Sequence, residues 1–157
     1  MLYGAQAVIV DPKAERGRWK ETLPEISHEI NIVTLTSDEK NKGLLDPYVI
    51  MKNPKDSESL AIDILTFLTG ISSRDGERFP ILRKAIRAVT NSEVRGLMKV
   101  IEELRVENTP LSTSIADHIE SFTDYDFAHL LFSNGYVEQS ISLETVSYTH
   151  LRAHETR

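Results

Sequence analysis

Between Asp56 and Ser133 the apolar residues return at intervals of three and four, a period that forces amphipathic helices packed on one another. Asp56 or Ser57 is placed to cap a first helix, with Leu60, Ala61, Ile64, Leu65 and Leu68 inward and Gly70 at its end. SSRDGE then breaks the pattern, and Ile81, Leu82, Ala85, Ile86 and Val89 form a second stripe. Asn91 or Ser92 suits the cap of a third, with Val94, Leu97, Met98, Ile101 and Leu104 turned inward and Pro110 as its stop. A fourth helix from about Ser112 buries Ile115, Ile119 and Phe122. Phe127, Leu130 and Leu131 give a short fifth, stopped by Ser133-Asn134-Gly135.

The first third reads differently. Ala5 to Val10 is a short apolar run ending at Asp11-Pro12, which predicts a buried strand stopped by proline. Ala14 to Leu23 is polar and predicts a short helix before Pro24. Ile30 to Thr36 (INIVTLT) predicts a second strand, followed by the solvated turn SDEKNKG and a loop, Leu44 to Tyr48, fixed by Asp46-Pro47. Two strands joined by a short crossover point to a parallel sheet. The expected fold class is therefore α/β: a partial parallel sheet near the N-terminus with a mostly α-helical subdomain after it.

Composition narrows the function classes. There is no cysteine, which excludes disulfides and thiolate metal sites. No apolar run approaches the roughly 18 residues of a membrane span, and the opening MLYGAQAVIV lacks the basic start of a signal peptide, so a cytosolic setting is expected. The formal charge is −6. Nucleic-acid binders present a basic stripe to phosphates, whereas the clusters Lys13-Arg16-Arg18-Lys20 and Arg83-Lys84-Arg87 lie among acids or apolar helix positions. Direct nucleic-acid binding is not expected.

The last residues stand apart. Val146 to Thr156 resembles one reading frame of a transposase-type sequencing adapter, so residues 145–157 are expected to be a non-native tail, with the gene continuing past Glu144. His150 and His154 have the i,i+4 spacing of a helical metal pair, but no third ligand is near, and no metal site is expected.

Chemistry is suggested most by Val8-Ile9-Val10-Asp11-Pro12-Lys13-Ala14-Glu15. It sets an acid at the carboxyl end of a buried strand, where open α/β sheets bind ligands, with a cation and a second acid within one turn. Such a cluster can hold a water, a magnesium ion or a phosphate. The same residues also suit a plain helix start, Asp11 capping and Pro12 at the first position. A Walker B strand would need a second acid where Pro12 stands, and no phosphate-cradling Gly-x-x-x-x-Gly-Lys-Ser/Thr is present. His28, His118 and His129 lack partners at ligand spacing.

In order along the chain, GAQAVIVDPKAERGRWKETLPE, INIVTLT, GLLDPY and Leu131-Phe132-Ser133-Asn134-Gly135 resemble the ATPase domain of VirB-type conjugation and type IV secretion ATPases, P-loop motors of the HerA/FtsK-like superfamily. The resemblance covers about residues 4 to 144. It implies a partial α/β nucleotide-binding core over 1–55 and a helical subdomain over 56–144. It implies ATP and Mg2+ as cofactors of a longer parent, with Asp11 and Lys13 beside the nucleotide and Glu15 catalytic. The Walker A segment would precede Met1 and Walker B follow Glu144, so the piece alone is expected to be inactive and to bind no nucleotide tightly. The parent would self-associate into a hexameric ring with other subunits of the machine, peripheral at the cytoplasmic face of the bacterial inner membrane. Two alternatives remain open: the related DNA-pumping coupling ATPase, and a non-catalytic helical interaction module for which residues 56–133 suffice.

Overall fold

A computed structural model describes residues 18–28, 30, 32, 34–36 and 38–136. The chain divides into two compact units, Met1–Leu35 and Thr36–Arg157.

In the first unit, α1 (Trp19–Thr22) is a single turn, followed by a 3-10 turn at Pro24–Ile26. The expected strand at Ile30 to Thr36 is not seen at its described residues, 30, 32 and 34–36. Ile30 donates its N–H to the Ser27 carbonyl (3.4 Å), a turn bond rather than a ladder bond, and Ile32 and Leu35 are each 44% exposed. β-Branched residues become strands only where neighbours pack on them and a second backbone answers their N–H and C=O groups. The other expected strand, Ala5 to Val10, lies outside the described residues. The α/β class, with its partial parallel sheet, is therefore corrected: among the described residues the protein is helical and has no strand.

The second unit holds α2 (Pro47–Ile50), α3 (Pro54–Thr69), α4 (Arg78–Thr90), α5 (Leu97–Glu107) and α6 (Pro110–Glu120), with 3-10 turns at Glu39–Asn41 and Asp126–Leu131. Each helix from α3 to α6 packs on the next, and α6 returns against α3 and α4. Leu65, Leu82, Ile86, Leu97, Val100, Leu104, Ile115 and Ile119 fill the core between them, and Phe132 closes it from beyond α6.

The stripes match these helices, but the caps shift. Asn53, rather than Asp56 or Ser57, caps α3, accepting from Lys55 N (3.0 Å), because Pro54 suits the first helical position and has no N–H to satisfy. Pro110 likewise opens a helix instead of stopping one. Thr109 before it forms a capping box with Ser112, its hydroxyl accepting from Ser112 N (3.1 Å). Asn91 ends α4 instead of capping α5, and Val94 sits in the intervening loop rather than on the inner face. No helix among the described residues is long and apolar enough to cross a membrane.

Candidate functional site

Asp11, Lys13 and Glu15 lie outside the described residues. Within them, the most distinctive polar arrangement surrounds Asp46, whose side chain is completely buried.

Asp46 precedes Pro47, the first residue of α2, and caps that helix by accepting from Tyr48 N through Oδ1 (2.9 Å). Its Oδ2 accepts from two distant backbone amides, Leu97 N (2.7 Å) and Ser133 N (2.9 Å). Leu97 opens α5, whose cap position is Gly96 and so offers no side chain to satisfy the first amides. A helix start leaves N–H groups without intrahelical acceptors and carries partial positive charge, so a carboxylate supplied from elsewhere answers both. Met98 N, the next amide, donates to the Ser133 carbonyl (3.2 Å).

The two chain passages run together beside this carboxylate. Gly43 N donates to His129 O (3.0 Å) and Leu45 N to Leu130 O (2.7 Å). Gly43 has φ +71°, and a Cβ there would stand 2.5 Å from Ser133 Cβ; a Cβ on Gly96 would overlap the Ser133 carbonyl oxygen. Both positions therefore demand glycine, the first for conformation and space, the second for space alone. Tyr48 completes the arrangement by reaching α4, its hydroxyl lying 3.2 Å from the Ile86 carbonyl, to which it donates, and 3.1 Å from Thr90 Oγ1. The segments Leu45–Tyr48 and Leu131–Gly135, far apart in sequence, are thus one structural feature.

Burial dominates the electrostatics. Loss of solvent pushes the Asp46 carboxyl up from 3.8 to about 6, against the pull of its backbone donors Leu97, Ser133 and Tyr48. Loss of solvent also raises the Tyr48 hydroxyl to about 12.

A triphosphate needs a cradle of free N–H donors, and its magnesium needs carboxylate oxygens open to it. Asp46 offers neither, because its oxygens already accept three backbone N–H groups and water cannot reach them. The surroundings of Asp46 therefore do not fit ATP and Mg2+, and the arrangement organises backbone rather than performing chemistry. A cleft of about 310 Å3 lies alongside, lined by Lys40, Lys42, Ser133, Asn134 and Tyr136 among others. Its two lysines face acids of their own loop, Lys40 to Asp38 (3.5 Å) and Lys42 to Glu39 (3.3 Å).

On the helices several cations are matched in the same way. Lys84 meets Glu107 (3.2 Å), Arg87 meets Glu58 (3.4 Å), and Arg105 meets Asp117 (2.9 Å) and Glu120.

The sequence model of the AAA-like domain matches residues 1–148, and the chain belongs to that family, which is one of P-loop ATPases. Searches of curated proteins and of solved structures returned no match.

Sequence reasoning placed Asp46 in a loop fixed by the following proline and in the GLLDPY motif of the resemblance, and gave its carboxylate no role. The signal available was Asp directly before Pro, a helix-capping pair, together with a glycine at each loop that meets it.

Proposed function

We propose that this chain is part of an ATP-hydrolysing motor that powers conjugative transfer or type IV secretion. The observation that carries the reading is the AAA-like domain match over residues 1–148. That span contains, in order, the Asp11-Pro12-Lys13-Ala14-Glu15 segment, Leu45–Tyr48 and Leu131–Gly135. The meeting of the last two around Asp46 supports treating them as parts of one design.

In this reading Asp11 and Lys13 bind the nucleotide and Glu15 is catalytic, with ATP and Mg2+ as ligands of the longer parent. The parent assembles as a ring with other subunits of the machine at the cytoplasmic face of the membrane. Lys84, Arg87 and Arg105 each face an acid, which speaks against a free basic stripe for nucleic acid on these helices; the DNA-pumping coupling ATPase is the alternative motor.

One observation favours the rival reading, a non-catalytic helical interaction module: residues Thr36 onward form a compact unit with a core of its own. Steady-state ATP turnover of the parent separates the two. Glu15→Gln should lower turnover about tenfold or more, about 1.4 kcal/mol of barrier, with an unchanged melting temperature. A surface helix residue would leave turnover untouched and change stability by less than about 0.5 kcal/mol. Equal turnover in wild type and variant would remove Glu15 from the catalytic role.

A further inference from the structure

We propose that Asn134-Gly135 is a site of spontaneous amide loss, and that the Ser133 hydroxyl holds this reaction off while the protein is folded. The inference is independent of the proposed ATPase activity.

The chemistry starts from the dipeptide. Asn134-Gly135 is the one Asn-Gly pair in the sequence, and Asn134 is exposed to water. A glycine has no side chain to shield its backbone nitrogen, so that nitrogen can reach the side chain of a preceding asparagine. The Gly135 N–H gives its proton to a solvent base, and the nitrogen attacks Asn134 Cγ. The N–Cγ bond forms, the Cγ–Nδ2 bond breaks, and Nδ2 leaves as ammonia after taking a proton from water. The product is a cyclic succinimide, which water then opens. Addition at Cγ gives aspartate; addition at the main-chain carbonyl gives isoaspartate, with an extra methylene in the backbone.

The fold opposes the first step at the nitrogen. Gly135 N donates to Ser133 Oγ (2.8 Å), so removing its proton costs a hydrogen bond. The acceptor is fixed in place. Ser133 is 2% exposed, its N–H donates to Asp46 Oδ2 (2.9 Å), and its carbonyl accepts from Met98 N (3.2 Å).

A second restraint acts on Gly135 itself. Its φ is +97°, and a Cβ there would lie 2.6 Å from Val94 Cγ1 and 3.1 Å from the Arg95 carbonyl oxygen. Packing on that side leaves the residue little room to turn its nitrogen towards Asn134 Cγ. The products would alter the neighbourhood in two ways. Asn134 lines the cleft that holds Lys40 and Lys42, so either product adds a carboxylate there. Isoaspartate also lengthens the chain directly after Ser133, whose backbone meets Asp46 and α5.

Incubation of this chain at mildly alkaline pH, wild type beside Ser133→Ala, tests the role of the hydroxyl. Alanine removes only Oγ and keeps the Cβ that Gly43 packs against. Peptide mass spectrometry follows amide-to-acid conversion at Asn134, and each chain in urea gives the unrestrained rate. Folded wild type should react at least about tenfold more slowly than its unfolded form, as a locally protected amide does. Folded Ser133→Ala should react about threefold or more faster than folded wild type, the effect of one lost hydrogen bond, with equal rates in urea. Equal folded rates in the two chains would overturn the proposal, as would a wild type that reacts as fast folded as unfolded. Hydrogen exchange separates a local effect from unfolding: the amides of Leu65 and Ile86 should stay within about twofold of wild type. Loss of their protection in step with the faster reaction would also overturn it, because the variant would then react through global opening.

Discussion

Leu104 and Asp46 are both shut off completely from solvent, yet they hold the molecule by opposite means. Leu104 is one of many apolar residues lining the bundle, and its partners recur along every helix that faces it. Asp46 acts alone, through three directed bonds to amides 2, 51 and 87 residues away in sequence. Apolar packing is non-directional and shared; a buried carboxylate must have each donor in place. The bundle therefore tolerates exchange of one hydrophobic residue for another, while the region around Asp46 tolerates very little.

That contrast can be broken most strongly from the bundle side. Leu104→Ala removes a buried side chain from the centre of α5 and should cost about 3–4 kcal/mol by transfer and cavity terms together. Urea denaturation measures it, and a loss under about 1 kcal/mol would mean the core collapses around the gap.

The next largest effect is a pH dependence. The Asp46 carboxyl lies at about 6 when folded against an ordinary 3.8, so the folded state holds this proton more tightly. Its contribution to stability is fully present below the unfolded value and is lost as pH rises through about 6. Compared with Asp46→Asn, wild type should thus lose about 2–3 kcal/mol of relative stability between about pH 4 and about pH 7. A difference that stays flat, or rises with pH, would show that the carboxylate is solvated or paired with a cation.

A smaller and purely steric effect comes from Gly96. Its φ is 170°, extended backbone open to any residue, so Gly96→Ala is disfavoured only by the collision with the Ser133 carbonyl. Pushing the Ser133 backbone away from α5 should cost about 2 kcal/mol, in the range of overpacked sites. An Ala at Gly76, where nothing lies within 4 Å, should have little effect and serves as the control.

The same contrast explains what could be read from the sequence. Helices α3 to α6 were legible because Leu60 to Leu68, Ile81 to Val89, Leu97 to Leu104 and Ile115 to Ile119 repeat the helical period locally. Their starts differ from the expected ones because Pro54 and Pro110 each occupy the first helical position behind a capping Asn53 or Thr109, where Asp56 or Ser57 is the expected cap of the first and Pro110 the expected stop before the last. The run at Ile30 to Thr36 misled because β-branched composition signals a strand only when a ladder partner exists. The role of Asp46 was not legible, since no local pattern announces bonds to residues 97 and 133. Asp11, Lys13 and Glu15 were singled out from position at an expected strand end, and they fall outside the described residues.

Asp46 is a carboxyl group held in the interior by backbone amides, and that can be measured at the atom itself. A pH titration of the Asp46 side-chain carboxyl carbon by NMR should show a midpoint near 6, well above the ordinary 3.8. A midpoint at or below 3.8 would place the group in water or beside a cation and contradict a carboxyl group buried among backbone amides.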